Sequence, residues 1–358
     1  MNKTKGTMTN KQRVDALLNR EKPDRVPIYP FGGGFAAVYS NASIADLYTN
    51  PEVSLAAQRK AARDFDWVCV PEIAYAAFGG WEFGGEIKWP DGDFTQAPSV
   101  SRHVANTPEE VMDLRIPDVA NAGIIPLQKK FFEASSKDSF DNEPWNIVIQ
   151  LEGIFTCASN IVGIDRFSRW TLKKPDIAHR LVRLTTDFEI EMATYWKDIF
   201  GTDGVLLWGG DPVSSNQVIS PKTFETFNLP YRKEVHEKVL AMGYKTMFMH
   251  ICGEQNENLP FWAQIPMGDP GIVSFGHEVD IEKAAEYFPN DIVVGNLEPA
   301  VIQTATPEEV YAASRAVIEK GKKLSCGFMF APGCELPPMA PADNVRAMTN
   351  AVDDFGWY

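Results

Sequence analysis

Apolar positions along this chain fall into short unbroken runs, and polar or glycine-rich turns separate each run from an amphipathic stretch with helical spacing. Eight runs read as strands, at residues 26–31, 67–72, 146–152, 204–211, 245–252, 272–276, 292–296 and 325–331. Most are continuously apolar, as expected of strands covered on both faces. Helical patterns lie between them at 51–65, 175–200, 220–242, 306–320 and 342–355. Two of these carry start signals. Ser220-Pro221 supplies a cap and a proline at the first helical position, and Thr306-Pro307-Glu308-Glu309 adds acidic residues to the first turn. Strand, turn and helix in alternation imply parallel strands with crossover helices, and eight units predict an α/β fold of the (β/α)8 TIM-barrel type.

One stretch breaks this rhythm. Residues 78–117 contain WEFGGEIKWPDGDF and SVSRHV, a small β-rich excursion after the second strand. It is a candidate cover for the barrel mouth or contact between the copies of a homodimer. No linker interrupts the remainder, so residues 1–358 are read as a single barrel domain.

Composition narrows the partners. The 358 residues carry a formal net charge of -14, which argues against nucleic acid and anionic membrane surfaces, since both would repel the chain. No stretch approaches the roughly 20 apolar residues of a membrane span. The polar start MNKTKGTMTNKQR lacks the apolar core of a secretion signal. Five cysteines without such a signal fit a reducing cytoplasm with free or metal-bound thiols. Cys69, Cys157 and Cys326 lie within or beside apolar runs and are expected as core thiols.

The chemistry concentrates at strand ends. In Met247-Phe248-Met249-His250-Ile251-Cys252-Gly253, residues two apart point the same way, so His250 and Cys252 project together where the run meets its glycine. Cys334, in the turn Ala331-Pro332-Gly333-Cys334-Glu335, follows the eighth strand and belongs to the same face. Imidazole and thiolate suit zinc, and three protein ligands leave an exchangeable fourth position. A packed histidine beside buried thiols is the alternative that this pattern alone leaves open. Acidic residues recur at the same ends: Glu72, Glu152, Asp211, Glu278 and Glu298. Glu298, Glu152 and Asp211 are candidates for acid, base or fourth-ligand roles. Some of these carboxylates are expected only to bind loop amides.

The run GGDPVSSNQVISPKTFETF, followed by HICG, GNLEP and APGCELPP, resembles the uroporphyrinogen decarboxylase superfamily, and within it the corrinoid-dependent methyltransferase branch. The resemblance extends from Lys22 to Asn344. It implies zinc on His250, Cys252 and Cys334, with the corrinoid carried on a separate partner protein. Two positions depart from the branch: the seventh strand ends Asn-Leu-Glu-Pro, and the sixth ends Phe275-Gly276-His277-Glu278. His277 and Glu278 are therefore candidate substrate contacts. The decarboxylase reaction fits poorly, because the arginine-rich segment that would hold substrate carboxylates is replaced by Phe31-Gly32-Gly33-Gly34-Phe35-Ala36.

Nine tryptophans and 22 phenylalanines bear on the substrate. Trp81, Phe83, Trp145 and Trp208 are expected near the mouth, where aromatic walls suit a flat donor. The expected reaction is demethylation of a small methoxylated arene onto Co(I) of the partner's corrinoid, a cobalamin-type cofactor. The alternative is methyl-corrinoid:thiol transfer of the coenzyme M type. A zinc-binding protein without turnover is the reading from a different class.

Overall fold

Continuously apolar strands need cover on both faces, and the computed structural model, which describes residues 6–91, 97–137 and 140–358, shows how they obtain it. Among the described residues the strands in chain order are β1 (Glu86–Lys88), β2 (Ser99–Arg102), β3 (Ile147–Gln150), β4 (Val205–Gly210), β5 (Met247–Ile251), β6 (Ile272–Phe275), β7 (Ile292–Leu297) and β8 (Phe328–Pro332). Strands β3 to β8 form one six-stranded sheet in sequential order, every pair parallel. All residues of β3, β4, β5, β6 and β8 are buried. Helices return the chain between strands, as parallel pairing requires.

The first two expected strands are not ladder strands. Residues 26–31 touch β8 through a parallel bridge from Ile28 to Phe330, with Tyr29 N donating to Phe330 O at 2.8 Å. Val68 N donates to Ile28 O at 2.9 Å. Pro27, Pro30 and Pro71 explain the sparse pairing, since each removes a backbone donor from a short segment. Both segments still contribute to the interior. One buried cluster joins Tyr29, Val68 and Val70 to Val148, Leu206, Phe248, Ile272, Val294 and Met329, so all six strands and both segments feed the same core.

The expected helices form with small changes. Pro175–Phe200 and Ala342–Phe355 match the pattern, and Thr306 makes a capping box with Glu309. The stretch at 220–242 splits into Pro221–Phe227 and Leu229–Ala241, because Pro230 cannot donate in a continuous helix. The excursion is less β-rich than expected. It holds the antiparallel pair β1 and β2, then a helix Pro108–Asp113. Residues 92–96, inside the WEFGGEIKWPDGDF stretch and just after it, lie outside the described residues.

Arg232, on the helix Leu229–Ala241, has no exposed surface. Its Nη2 donates to the carbonyl of Glu152 at 3.0 Å and lies 3.8 Å from Asp211 Oδ2, while Nη1 lies 3.5 Å from Glu189 Oε2. Asp211 and Glu189 are likewise fully buried. The guanidinium thus joins two helices to the ends of β3 and β4. Removing one partner of a buried charge group is costly because the other charge stays behind unpaired. Arg232→Met should therefore lower stability by about 3–5 kcal/mol. Urea unfolding measures this, and an unchanged midpoint would show that the group is not a structural support.

Candidate metal centre

His250 ends up facing the interior mouth because β5 pairs it with Gly210 on one side and Ser274 on the other. Ser274 Oγ lies 3.1 Å from His250 Nδ1. That contact fixes the ring. The other nitrogen, Nε2, is buried and has no hydrogen-bond partner. Cys252 lies one residue beyond β5 and Cys334 two residues beyond β8, and their sulfurs stand 3.7 Å apart. The ligand atoms of His250, Cys252 and Cys334 all lie within 4.8 Å of one another.

This arrangement fits a cation. Buried polar atoms are normally satisfied, so an orphaned imidazole nitrogen beside two sulfurs asks for a partner. Two thiolates bound at about 2.3 Å to tetrahedral zinc stand about 3.8 Å apart, close to the observed separation. The two sulfurs are close enough to hydrogen-bond, and either can be the donor. That contact pulls the Cys334 pKa down to about 4, with the nearby His250 ring adding to the effect. The Cys252 thiol shifts upward for the same reason, and burial adds to the shift.

The three ligands open onto a pocket of about 920 Å³, part of it open solvent. Phe31, Tyr48, Tyr75 and Trp208 line it, together with Glu72, Glu152 and Glu335. Phe31 sits edge-on to His250 with ring centroids 5.0 Å apart, at a backbone φ of +39° that non-glycine residues rarely adopt. Its carbonyl accepts from Leu336 N at 2.8 Å, which ties the first segment to the Cys334 loop. Burial raises Glu152 to about 8, although Gln150 donates to it at 2.5 Å. Burial and the neighbouring Glu335 push Glu72 to about 8. Burial and Cys334 push Glu335 to about 7.

Not every residue singled out from the sequence reaches this pocket. Glu152 and Trp208 do. Asp211 lies behind it, with no exposed surface. Its Oδ1 accepts from Thr156 N and Oγ1 at 3.0 and 2.6 Å, and its Oδ2 accepts from Asn228 at 2.6 Å. So engaged, and away from the pocket surface, it ties the helix Ile154–Val162 to the helix junction at Asn228. Gly153 keeps it there, since a Cβ at that residue would fall 2.1 Å from Asp211 Cγ. His277, Glu278 and Glu298 gather at the rim: His277 Nδ1 lies 3.5 Å from Glu278 and Nε2 lies 3.9 Å from Glu298. They do not line the pocket.

The remaining aromatic candidates pack elsewhere. Trp81 stands edge-on to Trp89 and Phe83 edge-on to Phe188. Trp145 precedes β3 and is buried at the opposite end of the strands. Cys69 and Cys157 are core thiols, whereas Cys326 is only half-buried and lines a separate cavity near Leu17 and Tyr358. Sequence reasoning missed Phe31, Tyr48, Tyr75, Gln150, Ser274 and Glu335 as site residues. Glu335 had a signal in its adjacency to Cys334. Ser274 becomes visible only once the register of β5 and β6 is known.

With this geometry in place, comparison with known proteins is informative. The family model for uroporphyrinogen decarboxylase (URO-D) matches residues 9–355, so the chain belongs to that family. The methylcobamide:CoM methyltransferase MtbA of Methanosarcina acetivorans is 28% identical over 356 residues, spanning 97% of this chain and 98% of its own. The methylcobamide:CoM methyltransferase MtaA of Methanosarcina barkeri is 26% identical over 358 residues, with the same coverage. A solved structure described as a methyltransferase from Methanosarcina mazei covers 98% of this chain and 99% of that one, with a TM-score of 0.80 at 24% identity, which establishes the shared fold. Among the described residues no helix is long and apolar enough to cross a membrane.

The position of Glu152 carries a pH dependence. The folded protein holds its proton up to about pH 8, against an ordinary glutamate value of 4.5. Between these values the folded state binds the extra proton, so this contribution to stability is full below 4.5 and is lost as the pH rises through 8. Glu152→Gln removes the dependence. The unfolding free energy of the wild type, relative to that variant, should fall by up to about 1.4 kcal/mol per pH unit in that window. Denaturant unfolding of the metal-free proteins at several pH values checks it; parallel curves would refute it.

Proposed function

We propose that this protein is a corrinoid-dependent methyltransferase, with His250, Cys252 and Cys334 as the ligands of one zinc ion. The observation that carries the proposal is the buried, unpartnered His250 Nε2 facing two sulfurs at the floor of a pocket. Zinc bound there supplies a Lewis-acid centre that keeps a thiol substrate as its thiolate near neutral pH. The names of the methanogen relatives support transfer between a corrinoid and a thiol over the methoxylated arene expected from the sequence. The arene reading drew on aromatic walls and on the changed strand ends at Glu298 and His277-Glu278; of Trp81, Phe83, Trp145 and Trp208 only Trp208 lines the pocket, whose other aromatic walls are Phe31, Tyr48 and Tyr75. Methyl-corrinoid:thiol transfer is therefore the favoured reaction, with the corrinoid presented by a partner protein at the open mouth.

The thiolate sulfur attacks the methyl carbon in line. The S–C bond forms as the Co–C bond breaks, and its electron pair remains on cobalt as Co(I). The thiol proton leaves to solvent at the open mouth, because burial keeps Glu152 protonated up to about pH 8. Phe31 and Trp208 form walls that keep water from the reacting atoms. Ser274 holds the His250 ring through Nδ1, which leaves Nε2 for the metal. Glu298, His277 and Glu278 stand on the rim, where an approaching partner would meet them. Decarboxylation of uroporphyrinogen suits this pocket badly, since its described lining residues include no lysine or arginine to meet that substrate's carboxylates.

The purified protein should carry about one zinc per chain. Cys334→Ala should lose both the metal and methyl transfer from methylcobalamin to a thiol. Elemental analysis showing full zinc in that variant would reject the ligand set. Ser274→Ala should keep the site but weaken zinc affinity by about 10- to 100-fold, as read by chelator competition. Uroporphyrinogen should not be turned over, and its decarboxylation at a rate matching methyl transfer would overturn the reaction assignment.

A further inference from the structure

The pocket has a charge character that no thiol of the coenzyme M type matches. Such a thiol carries a sulfonate, which needs a cationic partner. Three carboxyl groups face the space instead: Glu72 and Glu335 on one side, Glu152 on the other. Among the described lining residues there is no lysine or arginine. The nearest buried cation with a described role, Arg232, sits behind Glu152 and donates to its backbone carbonyl, and it is not part of the pocket surface. The ligand set adds no surplus positive charge either. Two thiolates and a neutral imidazole balance a divalent ion.

Two further observations point to a particular ligand. Glu72 Oε2 is buried without a hydrogen-bond partner. Four aromatic rings surround the same space in two pairs: Tyr48 edge-on to Tyr75 with centroids 6.2 Å apart, and Phe31 against Trp208 at 5.4 Å. Ring faces attract cations, and aromatic walls combined with carboxyl groups are the usual receptor for ammonium heads. We infer that the pocket selects a substrate with a positively charged head group, an ammonium-bearing thiol, and turns away thiols that carry a sulfonate or carboxylate. The thiol part of this statement rests on the methyl-transfer reading above. The charge preference rests on the pocket lining alone.

Two measurements test it, and they fail separately. The first is binding of tetramethylammonium and methanesulfonate to the purified protein, read by calorimetry, with no turnover needed. Above about pH 8, where Glu72 and Glu152 are ionised, like-charge contacts cost several kcal/mol, so tetramethylammonium should bind at least ~10-fold more tightly there. Methanesulfonate binding equally or better would overturn the inference. Glu72→Gln and Glu335→Gln together should narrow the preference, and an unchanged ratio would remove these carboxyls as its source. The second measurement supplies methylcobalamin to the zinc-loaded protein with 2-aminoethanethiol, 2-mercaptoethanol or 2-mercaptoethanesulfonate. S-methylation should be fastest with the aminothiol and slowest with the sulfonate. A sulfonate-bearing thiol that is both the best binder and the best acceptor would sink the charge inference and leave methyl transfer standing. The expected binding order without methylation of any thiol would uphold the charge inference and sink methyl transfer.

Discussion

A guanidinium with no exposed surface has to be surrounded by counter-charge, and the site is built around the way Arg232 meets that requirement. Its contacts reach Glu189 on the helix Pro175–Phe200, Asp211 after β4 and the backbone of Glu152 after β3. Burial pushes Glu189 to about 8 in spite of Arg232, and Asp211 is the second carboxyl group beside the guanidinium. Asp211 in turn holds the start of the helix Ile154–Val162 at Thr156 and the helix junction at Asn228. Loops that would otherwise wander are fixed by one ion group beneath the pocket floor. Glu152 can face the pocket as a buried acid because its own backbone is anchored from below.

Above that floor the parallel register does the positioning. Pairing Gly210, His250 and Ser274 across three neighbouring strands places beside the imidazole the hydroxyl that orients it. β8 delivers Cys334 from 82 residues away to within 3.7 Å of Cys252. Neither ligand pair depends on a flexible loop for its approach. Rigid strand ends suit a metal site, because the ligand geometry exists before the ion arrives and little ordering remains to be done on binding.

Much of this was legible in the chain itself. Six of the eight expected strands are there, because continuous apolar runs bounded by turns are a strong signal for strands covered on both faces. The metal ligands were legible too, since alternation in a strand fixes the direction of His250 and Cys252, and the turn after β8 placed Cys334 on the same face. What was hidden depends on the third dimension. Asp211 looked like its fellow strand-end carboxylates, yet its side chain turns toward Thr156 and Asn228, a choice set by Arg232 some 20 residues later in the chain. Trp81, Phe83 and Trp145 were misplaced because an aromatic residue near a strand end can turn toward the core as easily as the mouth. Tyr48 and Tyr75 were overlooked because nothing in their local pattern distinguishes a wall from packing. In the first two segments Pro27, Pro30 and Pro71 remove backbone donors, and that loss outweighs the apolar pattern in deciding the pairing.

Those prolines give the pocket two unlike sides. The metal side stands on a continuous hydrogen-bonded ladder. The other side, carrying Phe31 and Glu72, belongs to segments joined to the sheet by a few isolated backbone bonds. Backbone held by isolated bonds opens locally at lower free energy than backbone within a ladder. The two sides therefore differ in stiffness: the ligands keep their spacing while the wall packed beside them yields. Amide hydrogens of residues 26–31 and 67–72 will exchange with solvent ahead of those in β5 and β8. Sequence change can likewise reshape the soft wall, and with it the choice of substrate, without disturbing the ligand geometry.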